Sequence, residues 1–589
     1  MGLFGRKNKA NAYVLEEHSI APSIAPGDVA ITGSRARLVA RSRRRIAMCS
    51  VVFAAAFASL GIRLALVSFH EDAVASKSHY ASSNTTLRPD IVDRHGKLLA
   101  TNLPMIALEI AGAETWDAKE TVTALSSVLT NIDADAIEEK LRNGRYVEVA
   151  ASLTPSQQEA VFNLGLPGLR FQPREKRYYP QRDLAAHIVG HTEPGKGGVM
   201  GIEVLANERA ADELVETSID IRAQQMLEFV LADAIDRHLA KAGWAILMDV
   251  ETSEVIALAS LPDFDPNKPG VAEKDWRRNR ATYDRYELGS AFKALTTAAA
   301  LEAGTATESS TYEAIGNLKI ADKTIGDFHG ENRVLTLSEV VQHSSNIGMA
   351  KVVFDLGIAR QKAFLKSLGL FDALPIELRE NRPPQLPAQW GPVESATISY
   401  GHGIAITPLH LVSAFCAVVN GGAYRAPTFM KVKKPSAGEK VFSQETSIVM
   451  RRILRRVITN GTASGAEAEG YYPIGKTATA EKPVRGGYDK NSRIASFLGA
   501  FPGYAPRYAL LVSLDEPKST PETKGFATAG WNAAPTFSQM VERLGPILGV
   551  MPMSESEALA AFFADKPIVA ASARSNSQSS ADHGTGGSP

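Results

Sequence analysis

The first 45 residues mix polar, proline and basic positions without periodicity, and at Ile46 the pattern turns abruptly apolar. IAMCSVVFAAAFASLGI carries no charge, and LALVSF continues it beyond Arg63. An uncharged run of that length, extended to Phe69 by an arginine that can reach the far interface, predicts one membrane crossing over 46–69. A polar stalk follows. RPDIVDRHGKLLATN (88–102) then reads as a strand, a tight turn at His95-Gly96 and a second strand that turns Leu98 and Leu99 toward a core. Between 114 and 166 the period lengthens to that of helices, in KETVTALSSVLTNI and PSQQEAVFNLGL. A new unit begins near residue 217. Its first helix is predicted from Arg222 to about Lys241, with apolar positions 226, 229, 230 and 234 and Gly243 as its stop. WAILMDV and EVIALAS follow as strands across a turn at Glu251-Thr252. ASFLGAFP and YALLVSLDE are two more strands beside a last helix around 533–548. Helix, antiparallel strands, a large helical insert, then strands and a helix predict an α+β fold with one antiparallel sheet and a helical subdomain.

Length and composition extend this outline. At 589 residues and 44% hydrophobic content the chain holds more than one core. The pattern divides it into a cytoplasmic tail (1–45), an anchor (46–69), a pedestal or scaffold domain (70–216), a second domain (217–550) and a mostly disordered, Ser/Ala/Gly-biased end (551–589). Lysine plus arginine equals aspartate plus glutamate at 64 each, so bulk charge points to no nucleic-acid partner. Charge is uneven, though: nine basic residues against three acidic ones precede the apolar run. That bias places the N-terminus in the cytoplasm and everything after residue 70 across the membrane. A cleaved leader is the rival reading, since Ala73-Val74-Ala75 resembles a peptidase site, but the basic segment is long for one. Cys49 and Cys416 form no disulfide framework, and the twelve histidines show no metal-binding spacing.

Three stretches carry candidate chemistry. In YELGSAFKALTTAAALEAG, Ser290 falls in the first turn of a helix running to Gly304. Lys293, three positions on, shares its face. Because that helix is apolar nearly all round, it is expected to be buried, and burial disfavours an ammonium; a neutral amine beside a hydroxyl is a base beside a nucleophile. In QHSSNIGMAK, Ser344 and Asn346 sit at a break between two helices. In YYPIGKTATAEKP, Lys476, Thr477 and Thr479 lie along a strand, with both threonines on one side by alternation and backbone N–H groups along the edge. The N–H groups of Ser290 and Thr479 can then cradle an oxyanion. Each pattern alone is weak. Ser82 and Asn84 repeat the second spacing, and Lys323-Thr324 nearly repeats the third. The information lies in their order on compatible elements.

Taken together, SAFK, SSN and KTAT resemble the S-x-x-K, S-x-N and K-T-G set of the penicillin-recognising serine acyltransferases. RPDIVDRHGKLLA, RYYPQRDLAAHIVGH, GKGGVMGIE, TSIDIRAQQ, ASLPDFDPN and RNRATYDRYELGSAFK extend the likeness over nearly the whole chain after residue 45. The chain is thus similar to the class B penicillin-binding proteins, the division-specific, FtsI-like peptidoglycan D,D-transpeptidases. That resemblance implies a serine β-lactamase-like transpeptidase domain on an extended α+β pedestal with one transmembrane helix. It makes Ser290 the acylated nucleophile, Lys293 its base and Ser344 the relay of a proton to the leaving amine. Asn346 would contact the peptide, and Lys476, Thr477 and Thr479 would hold the carboxylate of a stem peptide ending in D-alanyl-D-alanine. No cofactor or metal is implied. β-Lactams are implied ligands. The implied place is the bacterial inner membrane with a periplasmic catalytic domain, beside an FtsW-type glycosyltransferase and other divisome proteins. One position departs from the family: Ala478 stands where the pattern has glycine, placing β-lactam reactivity in question. Two other readings follow from the same letters. One is a non-catalytic divisome scaffold. The other is a carboxypeptidase or β-lactamase-type hydrolase, for which Glu377 and Asn381 mimic a Glu-x-x-x-Asn element.

Overall fold

The computed structural model describes residues 47–61, 88–484 and 487–563. The proposed tail over 1–45, the whole of the stalk and the chain after residue 563 lie outside the described residues. By internal contacts the chain forms two units, 1–83 and 84–589. In the first, residues 47–61 form a helix whose side chains, Val51, Phe53, Phe57 and Leu60 among them, are exposed. The rest of the span expected over 46–69 is not described. Among the described residues, no helix is long and apolar enough to cross a membrane.

The second unit begins with the expected hairpin. β1 (Asp90–Val92) and β2 (Leu98–Ala111) pair antiparallel across a turn in which Asp93 Oδ1 accepts from the N–H groups of His95 and Lys97. Leu99 is buried, but Leu98 is 38% exposed, because successive strand residues face opposite ways. α1 (Ala118–Val128), α2 (Ala134–Arg142) and α3 (Pro155–Phe162) are helices as the periodicity predicts. β3 (Tyr146–Leu153) and β4 (Leu169–Tyr178), both paired with β2, are strands that the helical reading of this region passed over. β5 (Leu214–Glu216) closes the sheet by pairing parallel with β1. Leu108, Ile110, Leu125, Leu141 and Val147 form a small separate core here, whereas Ile91 and Leu99 belong to the main core of the molecule.

The main core is built on α4 (Ile221–Arg237) and five antiparallel strands: β6 (Ala242–Asp249), β7 (Val255–Leu261), β8 (Ile474–Val484), β9 (Gly487–Phe501) and β10 (Tyr508–Asp515). Their spatial order is β8-β9-β10-β6-β7. Every residue of β7, and all but the last of β6 and β10, is buried, since helices cover both faces; this is why these strands read as continuous apolar runs. α4 departs from expectation at two points. Phe229 is 62% exposed, and Gly243 lies inside β6 while the helix ends at His238, whose N–H bonds the Ala234 carbonyl.

The insert between β7 and β8 supplies α5 (Phe292–Glu302), α6 (Leu337–Gln342), α7 (Asn346–Leu356), α8 (Pro408–Val419) and α9 (Gln444–Thr459); α10 (Ala533–Ile547) follows the sheet. α5 is buried from Phe292 to Ala300 and packs among α6, α7, α8 and α9. β8 is left as the sheet's edge strand, facing the start of α5. This juxtaposition positions the site.

Candidate active site

The segment before α5 is held by backbone. Gly289 N donates to Gly401 O at 3.2 Å, and Gly401 adopts φ +83°. A Cβ on Gly401 would come within 2.2 Å of the Gly289 carbonyl oxygen, so only glycine allows this approach. A Cβ on Gly289 would lie 3.5 Å from Ala480 Cβ and 3.7 Å from the Thr479 oxygen, which measures how closely β8 passes. Ser290 sits in a single 3-10 turn (Gly289–Ala291) that leads into α5, rather than in the α-helix itself. Lys293 is fully buried in the first turn of α5.

Lys293 Nζ donates to the Ser344 backbone oxygen and, at 3.1 Å, to Ser344 Oγ. Ser344 Oγ lies 3.0 Å from Ser290 Oγ and donates to it. The hydrogen-bonded path from the Lys293 amine to the Ser290 hydroxyl therefore runs through Ser344, and no direct Lys293–Ser290 bond occurs among the described residues. The pattern of an isolated S-x-x-K turn suggests the direct contact; the intervening hydroxyl comes from a loop 51 residues away. Burial, then the charge of Lys476, push the Lys293 amine well below its usual range, with Asp327 opposing.

Ser344 reaches this place through an unusual backbone. α6 ends at Gln342, Ser344 takes φ +60°, and Ser345 caps α7 by accepting from Gly348 N at 2.9 Å. A carboxylate locks the turn: Asp327 accepts from Ser345 Oγ (2.6 Å), Asn346 N (2.5 Å) and Ile347 N (3.0 Å). A non-glycine residue in the left-handed region is disfavoured, and such caps compensate for it. Asn346 is not hydrogen-bonded to Ser290, Lys293 or Ser344; its amide donates to Gly326 O at 3.1 Å.

On β8, Lys476 is fully buried and Thr477 nearly so. Opposite partners in an antiparallel ladder share a face, so Thr477, paired with Phe497, points toward α10, where Phe497 packs on Phe537. Thr479 shares that face. Its Oγ1 accepts from Ala529 N at 3.1 Å, leaving its hydrogen available. Lys476, Ala478 and Ala480 take the other face, toward α5. Ala478 is 3% exposed and packed in the main core opposite Ser496. Burial brings the Lys476 amine down to about 7. Its Nζ contacts Thr477 O (3.3 Å) and Thr477 Oγ1 (3.4 Å). Because the Thr479 carbonyl faces Gly289 and a strand residue's N–H and C=O share an edge, the Thr479 N–H also faces the open edge beside Ser290.

The structure thus brings Ser290, Lys293 and Ser344 into one hydrogen-bonded line and sets Lys476 close enough for its charge to act on Lys293. Asp327, Gly401, Ala529 and Thr462, whose Oγ1 lies 2.8 Å from Thr477 Oγ1, are contributors that sequence reasoning did not find. They lie in loops, and nothing local marks them; Gly401 alone carries a hint, from its place between a helix and a turn. Glu377 and Asn381 hold loops together: Glu377 accepts from Thr428 Oγ1 and Phe429 N, and Asn381 is bonded to Leu374 O.

Comparison with known proteins places these features in a group. A model described as the penicillin binding protein transpeptidase domain matches residues 243–542, and one described as the penicillin-binding protein dimerisation domain matches residues 83–216. A probable peptidoglycan D,D-transpeptidase FtsI of Caulobacter vibrioides is 38% identical over 499 residues, 81% of this chain and 84% of the relative. The peptidoglycan D,D-transpeptidase FtsI of Escherichia coli K12 is 29% identical over 79% of this chain and 84% of the relative. Among solved structures, the transpeptidase domain of Burkholderia pseudomallei penicillin-binding protein 3 is similar with a TM-score of 0.52 and 31% identity, over 57% of this chain and 98% of that one.

Proposed function

The chain belongs to the class B penicillin-binding proteins of the FtsI type, peptidoglycan D,D-transpeptidases, and from that premise we propose that Ser290, Lys293 and Ser344 carry its acyl transfer. Ser290 Oγ attacks the carbonyl of the penultimate D-alanine. Its proton passes by way of the Ser344 hydroxyl to the neutral amine of Lys293, which needs only rotation of two hydroxyls. The N–H groups of Ser290 and Thr479 take the oxyanion. The bond to the terminal D-alanine then breaks, and its nitrogen receives the proton back through Ser344. An amine from a second stem peptide attacks the resulting ester, loses a proton along the same path, and restores Ser290 as the cross-link forms.

Lys476, Thr477 and Thr479 hold the terminal carboxylate, whose arrival restores the charge on Lys476, and Asn346 contacts the peptide. The Ala478 methyl lies in packed core on the face shared with Lys476 and Ala480, which supports retained reactivity toward β-lactams. The observation that carries the reading is the line from Lys293 Nζ to Ser344 Oγ to Ser290 Oγ, at 3.1 and 3.0 Å. The remaining parts rest on the basic block ahead of the apolar run and on the family resemblance carried by the sequence motifs: an anchor over 46–69, a periplasmic catalytic domain, action at the septum, and docking to an FtsW-type glycosyltransferase and other divisome proteins. A fluorescent fusion collecting at midcell checks the action at the septum.

Intact mass of the detergent-solubilised full chain after benzylpenicillin tests the chemistry. One adduct on the native chain and none on Ser290→Ala is expected. Equal labelling of both, or none of either, would sink the assignment. Paired stem peptides should yield cross-linked dimers rather than trimmed monomers.

A further inference from the structure

Beyond the three motifs, a further hydroxyl meets the strand of the third. Thr462 Oγ1 lies 2.8 Å from Thr477 Oγ1, and either can donate. Thr462 is exposed, whereas Thr477 is buried at 8%. Its place is set by backbone on both sides. A Cβ on Gly461 would lie 2.7 Å from Gln342 O and 2.8 Å from Val457 O, so this loop is wedged between α9 and the end of α6, next to the Ser344 turn. A Cβ on Gly530 would lie 2.7 Å from Thr462 O, so the loop bearing Ala529, which bonds Thr479, presses on it from the other side. Gln342 Nε2 adds a bond to Asn460 O at 2.9 Å.

The hydrogen count of this pair gives it a function. Lys476 in its charged form has donors only, and its contact to Thr477 Oγ1 occupies one lone pair of that oxygen. The bond between the two threonines consumes one of their two hydrogens. One O–H is therefore left to point outward whichever threonine donates, and a carboxylate accepts without donating. We propose that Thr462 is a positioning residue for substrate: through Thr477 it holds one hydroxyl hydrogen toward the carboxylate of the acyl donor, making recognition of that anion a property of two loops as well as of β8. This rests on the assignment of the acyl-transfer site above and adds a residue outside its three motifs.

A merely structural role would slow all acylation alike; a carboxylate-orienting role would not. The test compares acylation of the full chain by benzylpenicillin and by its neutral methyl ester, read as second-order rate constants from intact mass. For Thr462→Val the preference for the acid over the ester should fall by about tenfold, the worth of one hydrogen bond to a charged group. Thr462→Ser should keep that preference within about twofold of the native value, since it retains the hydroxyl. In a Thr477→Val background, Thr462→Val should change the preference no further. An unchanged preference in Thr462→Val, equal slowing of both probes, or independent effects of the two substitutions would each overturn the proposal. A native chain that takes no label from either probe would instead overturn the acylation assignment itself.

Discussion

Lys476 should work against the stability of the fold that it serves, and Lys476→Met separates the two effects. The amine is fully buried with, among the described residues, no carboxylate bonded to it, and burial alone brings it from 10.5 to about 7. A change of that size is worth about 5 kcal/mol between the two protonation states. The sign follows from proton counting. Between pH 7 and 10.5 the unfolded chain holds a proton on this lysine that the folded chain lacks, so stability rises with pH across that window and the deficit is complete below it. Methionine has similar length and no charge to desolvate. We expect Lys476→Met to gain about 2–4 kcal/mol at pH 7, with the gain shrinking toward zero by pH 10.5, while penicillin labelling slows severely because the carboxylate loses its cation. Chemical unfolding followed by tryptophan fluorescence, with Trp244 in the core, reads the first part, and intact mass reads the second. A variant less stable than the native chain at pH 7, or a gain that does not narrow as pH rises, would refute the burial argument.

Three further outcomes are expected. Ser344→Ala cuts the path from Lys293 to Ser290 and should slow labelling by about 10²–10⁴-fold with the fold intact, as checked by mass time courses beside circular dichroism. Ala478→Gly should lower stability by about 0.5–1 kcal/mol, the cost of glycine inside a strand, while labelling stays within about twofold; a large gain in labelling would mean the methyl does crowd the ligand. Gly401→Ala places a Cβ 2.2 Å from the Gly289 oxygen at φ +83°, so it should displace the Ser290 turn, abolish labelling and lower the midpoint of thermal unfolding.

Part of this molecule was legible before any coordinates. The apolar runs WAILMDV, EVIALAS and YALLVSLDE announced buried strands because side-chain periodicity is a local property. The same holds for α5, whose lack of a polar face left only burial, and for the break at Ser344, where one helical stretch gives way to another. β3 and β4 escaped notice because they lie beside helices of similar composition. β4 has no fully buried residue, so no apolar alternation marks it. Phe229 shows the converse: a residue at a helical core spacing that tertiary packing leaves in solvent.

What the sequence determined by itself was the inventory: which serine precedes which lysine, which threonines share a strand face, which helix would bury an amine. Those depend on spacings of four residues or fewer, within the reach of backbone geometry. What only the tertiary structure decided was that Ser344 stands between Lys293 and Ser290, that Asp327 holds the Ser344 turn in a left-handed conformation, and that Gly401 admits the Ser290 segment to the edge of β8. Each of these joins segments 18 to 112 residues apart. Contacts at such separations are fixed by how elements pack, and no local pattern along the chain encodes them.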